Sequence, residues 1–195
     1  MPSVLGMIEQ FGGDVEAVAG EDVRREVLAG AERLKASSSS EKVSLWMRDA
    51  VDRLDELAGD DARVVMERCG LACSKVNHGV TDRAIARRAR FATEEAFLAA
   101  EAAKPANGTR IELDGDVLYQ VYAPREFSHP MRCFCGLMRG LPADVAVSPT
   151  YCQCSRAFVR SYWSQVLGRP VTVKNLSSAV TGSSECRFRI ELRPS

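Results

Sequence analysis

The sequence predicts an α+β fold, with N-terminal helices followed by a β-β-α-β-β unit whose strands pair as an antiparallel sheet. Three observations predict it. Apolar residues recur at helical spacing over 41–58, a tight-turn signal stands at Asp114-Gly115, and apolar and polar residues alternate strictly from Cys186 to Leu192. The 195 residues, 46% hydrophobic and 27% charged, suit one compact domain. Within it we expect a helical region over 1–104 and an α+β region over 105–195.

The first 20 residues carry little pattern and hold Gly6, Gly12, Gly13 and Gly20. Residues 21–35 read as a helix with Val23, Val27, Ala31 and Leu34 on one face. A serine run, Ser37 to Ser40, follows as a linker, and Ser40 can cap the next helix. Over 41–58, Val43, Met47, Ala50, Leu54 and Leu57 form an apolar stripe, and Gly59 supplies a stop. Asp60 or Asp61 can open a helix reaching about Cys73, and Thr81 or Asp82 another reaching about Ala103. The last of these shows a small-residue face of Ile85, Ala89, Ala92, Ala96 and Ala99.

Beyond Pro105 and Gly108 the pattern changes. Ile111 to Leu113 and Val117 to Tyr122 flank Asp114-Gly115 as a hairpin. Residues 123–150 are irregular and hold four prolines, a length that calls for an anchor. Residues 151–167 predict a helix with Phe158, Val159, Tyr162, Trp163, Val166 and Leu167 on its apolar face, ended by Gly168 and Pro170. Val171 to Leu176 and Cys186 to Leu192 supply the remaining strands.

Charge excludes some functions. Lys and Arg total 26, as do Asp and Glu, so the net charge is 0, which argues against a nucleic-acid binder. No apolar run reaches the roughly 18 residues that a membrane-spanning helix needs. Glu9 interrupts the first apolar stretch and no basic residue precedes it, so the start does not read as a secretion signal and a cytoplasmic location is expected. Arg83, Arg87, Arg88 and Arg90 share one segment, and 155–195 holds seven basic against two acidic residues. A solvated face accounts for both, and anion recognition is the alternative.

Seven cysteines in such a chain make a poor disulfide framework. Cys133 and Cys135, like Cys152 and Cys154, are separated by one residue. In extended or turning backbone each such pair can converge on a cation, and four thiolates suit Zn²⁺ or, less well, an iron–sulfur cluster. Free thiols without metal are the alternative. Cys69 and Cys73 share a helical face and read as core, as a metal half-site or as a redox pair, and Cys186 reads as core or as a further ligand. Trp46, Phe91, Phe127, Phe158, Tyr162 and Trp163 either line an apolar ligand pocket or make core.

The stretch from Cys152 onward resembles the V4R family of small-molecule-binding, or hydrocarbon-binding, domains. The resemblance rests on Ser161-Tyr162-Trp163, on Val166-Leu167-Gly168-Arg169-Pro170-Val171, and on Gly182 to Ile190 with Cys186-Arg187-Phe188. The segments CGLMRGLP and SPTYCQCS look like one uncharacterised, cysteine-rich bacterial and archaeal branch. The resemblance implies a relation to the Bet3-like ligand-binding fold, a homodimer and ligand sensing or carriage. It also implies a structural zinc on Cys152, Asn175, Ser178 and Cys186, of which only the two cysteines are good ligands.

The function expected from the sequence is therefore binding of a small apolar molecule. A mainly structural zinc on Cys133, Cys135, Cys152 and Cys154 would pin the 123–150 segment to the following helix. Two alternatives stay open: a metal- or cysteine-dependent hydrolase of the amino-thiazoline carboxylate type, and a thiol redox sensor. No catalytic residue stands out.

Overall fold

A computed structural model describes residues 3–124 and 131–192. Seven α-helices precede and interleave with four strands: α1 (Val4–Ala19), α2 (Glu21–Val27), α3 (Ser40–Ala58), α4 (Asp61–Val76), α5 (His78–Arg88), α6 (Glu94–Ala102), β1 (Thr109–Asp114), β2 (Val117–Tyr122), α7 (Gln153–Leu167), β3 (Thr172–Ser177) and β4 (Cys186–Glu191). The strands form one antiparallel sheet in the order β1-β2-β4-β3. The predicted α+β class and the β-β-α-β-β order are what the chain adopts.

The N-terminal segment departs most from the expectation. Residues 4–19, weak in pattern, form α1, whose first turn is capped by the Ser3 hydroxyl accepting from the Gly6 amide at 3.1 Å. Its apolar side, Ile8, Phe11 and Val15, is buried. The helix predicted over 21–35 breaks after Val27, because Gly30 takes a left-handed conformation (φ 83°) before a short 3-10 turn at Ala31–Arg33. The helix predicted from Thr81 to Ala103 is two, α5 and α6, and Thr93 caps the second by accepting from the Ala96 amide. Its supposed packing face is wrong: Ile85, Ala89, Ala92, Ala96 and Ala99 are exposed, while Thr81, Ala84, Phe97, Leu98 and Glu101 are buried. The wrong side was read on both helices: α5 buries Thr81 and Ala84 rather than Ile85, and α6, separated from it by the break at 89–93, buries Phe97, Leu98 and Glu101 rather than Ala96 and Ala99.

The hairpin and C-terminal strands match their pattern. Leu118, Phe188 and Ile190 point inward, and β1 and the β4 strand with the residue before it carry a ladder of charges on the other face. There Arg110 reaches Glu112 (3.0 Å) and Glu185 (2.7 Å), and Arg187 reaches the same two carboxylates (2.6 and 3.8 Å). The Arg187 guanidinium lies 4.4 Å from the Tyr119 ring centre.

Two apolar cores result. One gathers α1, α3, α4 and the 137–152 segment around Phe11, Met47, Leu54, Met66, Met138 and Tyr151. The other packs α5, α6 and α7 on the sheet around Phe97, Val159, Trp163, Phe188 and Ile190. α7 touches α4, α5, β3 and β4 and so joins the two. It lies very close to α4: a Cβ added at Gly70 would stand 2.1 Å from the Cys154 carbonyl oxygen. Arg156 and Arg160 of α7 pair with Glu67 of α4 beside that crossing.

Gly70→Ala must push the two helices apart and is expected to cost about 1–3 kcal/mol in urea unfolding. Gly13→Ala, where nothing lies within 4 Å, is expected to gain about 0.5–1 kcal/mol. Equal stability of the two variants would show that the crossing is not tight.

Candidate functional site

The 131–148 segment runs over α1, α3 and α4 and ends in a 3-10 turn at Pro149–Cys152 that feeds α7. Arg132 holds it in place. Its buried guanidinium donates to the carbonyls of Ala179 (3.0 and 3.2 Å), Pro142 (2.6 Å) and Val145 (3.2 Å). Gly140 lies against the start of α3, its amide donating to the Ser44 hydroxyl at 3.2 Å. The anchor that this long segment needs is thus an arginine and a helix contact rather than a metal.

The cysteines divide. Cys69 of α4, Cys133, Cys135 and Cys154 are electrostatic neighbours in a sulfur-lined junction, and Cys73 also faces Cys135. Cys152 neighbours Cys133 and Cys154, but its Sγ is engaged elsewhere, 2.8 Å from the Ser178 hydroxyl, with Cys186 and Asn175 close by. The reason is helical: α7 begins at Gln153, so Cys152 and Cys154 lie about 200° apart around its axis. The expected zinc set of Cys133, Cys135, Cys152 and Cys154 is therefore corrected. Among the described residues no group of three or more His, Cys, Asp or Glu side chains is arranged to hold a metal ion.

The second-tier thiols are also accounted for in other ways. Cys69 is hydrogen-bonded to Asp14, Cys73 accepts from Asn77 at 3.4 Å, and Cys186 accepts from the Ala179 amide at 3.3 Å. Burial is the first cause that raises the pKa of Cys69, Cys133 and Cys154 well above the ordinary thiol value, and it pushes Cys152 up to about 11. These are neutral thiols that pack as small apolar groups. Tyr151, only 1% exposed, brings its hydroxyl into the same junction with no hydrogen-bond partner among the described residues. Burial first, and then the Cys135 thiol beside it, raises its pKa well above the usual tyrosine value, and that thiol lacks the geometry of a hydrogen bond to it.

The expected aromatic pocket does not assemble as one cavity. Trp46 belongs to the first core, where its Nε1 donates to the Ala29 carbonyl at 3.1 Å, while Phe91, Phe158, Tyr162 and Trp163 belong to the second. Phe127 lies outside the described residues. Tyr162 and Trp163 instead help to line an open cleft of about 160 Å³ between α6, α7 and the β1–β2 hairpin. Glu101, Lys104, Arg110, Ile111 and Gln120 complete most of it. A larger cleft, about 420 Å³, opens at the hairpin turn and is rimmed by Glu94, Glu95, Asp116 and Arg169.

The smaller cleft has an ordered floor. Trp163 donates through Nε1 to Gln120 Oε1 at 2.6 Å, and Gln120 Nε2 donates to the Tyr122 hydroxyl at 2.8 Å. The Tyr122 ring meets Phe134 of the 131–148 segment edge-on at 5.4 Å and Phe188 at 5.6 Å. On the cleft wall Glu101, 8% exposed, accepts from Arg87 at 3.3 Å to each oxygen and from Lys104. Burial alone would raise the Glu101 pKa, but the bonds from Lys104 and Arg87 outweigh it and hold the carboxyl below its usual value. Gln120 escaped sequence reasoning because it reads as an ordinary polar residue in an alternating strand. Its inward register opposite Phe188 is the signal that marks it.

No protein-family model matches the chain, and no curated protein does. Among solved structures, an H-NOX protein from S. oneidensis in the Fe(II) ligation state, a triple mutant, aligns over 100% of this chain and 97% of its own. The TM-score is 0.53 at 12% identity. The H-NOX protein from S. oneidensis in the Fe(II)NO ligation state aligns over 100% of both chains with a TM-score of 0.47 and 14% identity. The first of these establishes likeness of fold. It corrects the V4R resemblance, which drew on a quarter of the sequence and has no support in these comparisons. With it goes the expected function, an apolar-ligand carrier with a zinc anchor.

Two measurements check the junction. The buried thiols have folded pKa values above the unfolded value of 9.0. Their contribution to stability is whole below pH 9 and is lost as pH rises through that value towards the folded ones. Urea unfolding is expected to show a steep alkaline decline, and a level profile from about pH 8 to about pH 10.5 would contradict neutral burial. Tyr151→Phe removes an unsatisfied hydroxyl and is expected to leave stability equal or up to about 1 kcal/mol higher, whereas a loss above about 1 kcal/mol would mean the hydroxyl is bonded.

Proposed function

Taking as premise only a likeness of fold to an H-NOX protein, we propose that this chain is a sensory ligand-binding domain. A small molecule occupies the cleft floored by Trp163 and Gln120, and its arrival alters the 131–148 segment through Tyr122. One observation carries this reading: the Trp163–Gln120–Tyr122 hydrogen-bond chain, which begins in the cleft and ends against Phe134.

The chemistry of that chain favours a switch. An indole N–H can only donate, so it fixes the Gln120 carbonyl towards Trp163 and the amide NH₂ towards Tyr122. A ligand that takes either bond leaves a buried group unpaired, at a cost of about 1–3 kcal/mol, unless Gln120 rotates. Rotation withdraws the donor from Tyr122, whose ring is the contact with Phe134. The ligand shifts the equilibrium only by as much as it prefers one arrangement over the other. The relation of the sheet unit to the Bet3-like ligand-binding fold belongs to this proposal as well.

The solved H-NOX proteins carry ferrous iron, one of them with NO. The described residues here do not fit an iron centre. His78 is at the surface, with its side chain 75% exposed and Nδ1 2.8 Å from Asp82, and His129 lies outside the described residues. The Cys133 and Cys154 thiols are held neutral by burial, and among the described residues no three side chains are grouped as metal ligands. The proposed sensing runs through the side-chain hydrogen bonds of the cleft floor.

A mixture of small neutral, cationic and anionic fragments, titrated into labelled protein, tests the reading by NMR. Binders in the cleft are expected to shift the Trp163 indole signal and the amides of Phe134 and Cys135 together. In Gln120→Leu the indole is expected to respond and the two amides to stay still. Binding in the wild type without any response of the 131–148 amides would refute sensing.

A further inference from the structure

The cleft wall also shows which ligands belong there, and this inference rests on the reading just given. Three charged side chains meet at its inner edge. The Glu101 carboxylate is shared by two cations, Arg87 and Lys104. Arg110, on the opposite wall, is already matched: with Arg187, Glu112 and Glu185 it closes a ring of two cations and two carboxylates. One positive charge is thus left over at the Glu101 edge. Of its two carriers, Lys104 lines the cleft itself and keeps a side chain 47% exposed.

The other walls are of different character. Ile111, Pro105 and the ring of Trp163 are apolar, and the Thr109 and Tyr162 side chains add hydroxyls. The space, about 160 Å³, falls below the roughly 300–1,000 Å³ of sites for drug-sized molecules. We propose that the cleft selects a small organic monoanion, a carboxylate with a short apolar body. Its head neutralises the surplus charge at Lys104 and its body covers Trp163 and Ile111. An ammonium compound meets the wrong charge, and a neutral alcohol leaves the surplus unmatched. A dianion or a phosphate ester brings more charge than the single surplus cation balances.

Lys104 is a good specificity element for a physical reason. An exposed ammonium on a flexible stem can leave Glu101 for a ligand, because Arg87 continues to satisfy both carboxylate oxygens. The Glu101–Arg87 pair then serves as a fixed wall and Lys104 as the mobile contact.

The test uses butyrate, with butylamine and butanol as cationic and neutral counterparts of the same chain length. The indole N–H signal of Trp163 is followed in the whole chain, and Trp46, bonded to Ala29 in the other core, is the internal reference. Butyrate is expected to shift Trp163 saturably and to leave Trp46 unmoved, with butylamine and butanol at least about tenfold weaker. Lys104→Gln is expected to weaken butyrate about tenfold, and Lys104→Arg to restore most of that loss. The butyrate affinity should fall as salt rises. Saturable binding of butanol or butylamine as tight as butyrate would overturn the monoanion inference and leave the sensory reading standing. So would a Lys104→Gln variant that binds butyrate unchanged. Binding of none of the three overturns it too, and the fragment titration then decides the sensory reading alone.

Discussion

At Gly70 the backbone of α4 comes so near the Cys154 carbonyl that no side chain fits between them. That contact sets where α7 begins and how it lies. With α7 fixed, Trp163 is delivered to the sheet opposite Gln120, and the 131–148 segment must close over α1 and α3 to reach the helix start. The sulfur junction, the cleft and the two cores all follow from one close crossing of helices. The Glu67 pairs with Arg156 and Arg160 hold it from the polar side. They are partly exposed and add direction more than stability.

Most of the cysteines serve as packing. Six of the seven thiols are raised in pKa by burial. A junction lined by sulfur is soft and adaptable, and it seats an irregular segment on a helical layer without a regular stripe of leucines. The polar atoms that matter lie elsewhere, in a glutamine and an indole bonded to each other inside an apolar core. A buried amide of that kind has few acceptable orientations, which makes it a better relay than a greasy contact.

Much of the architecture was legible. The Asp114-Gly115 turn, the alternation from Cys186 to Leu192 and the apolar stripe of α3 from Val43 to Leu54 each depend on local periodicity, and each is where the sequence puts it, while Leu57 at the end of that stripe is exposed. What failed depended on tertiary contact. α1 hides behind Gly12 and Gly13, and the first of these is needed because a side chain there would press on Leu28. The stripe read over 85–99 lies on the exposed side of both α5 and α6, because Thr81, Ala84, Phe97 and Leu98 are what the tertiary packing covers. The site was harder still. Paired cysteines attract a metal reading, yet among the described residues no three of them group as ligands, and the phase of a helix that starts one residue after Cys152 sets Cys152 and Cys154 apart. Trp163 and Tyr162 were legible as functional candidates, whereas Gln120 and Lys104 acquire meaning only from what stands opposite them.

The central claim is that the cleft and the 131–148 segment are one coupled unit. Backbone hydrogen exchange of that segment, read with and without saturating butyrate, tests it most directly. The account predicts a change in protection at Phe134 to Leu141 when the cleft is filled, and none at α1 or α3 away from it. Identical exchange in that segment, with Trp163 demonstrably occupied, would contradict the account.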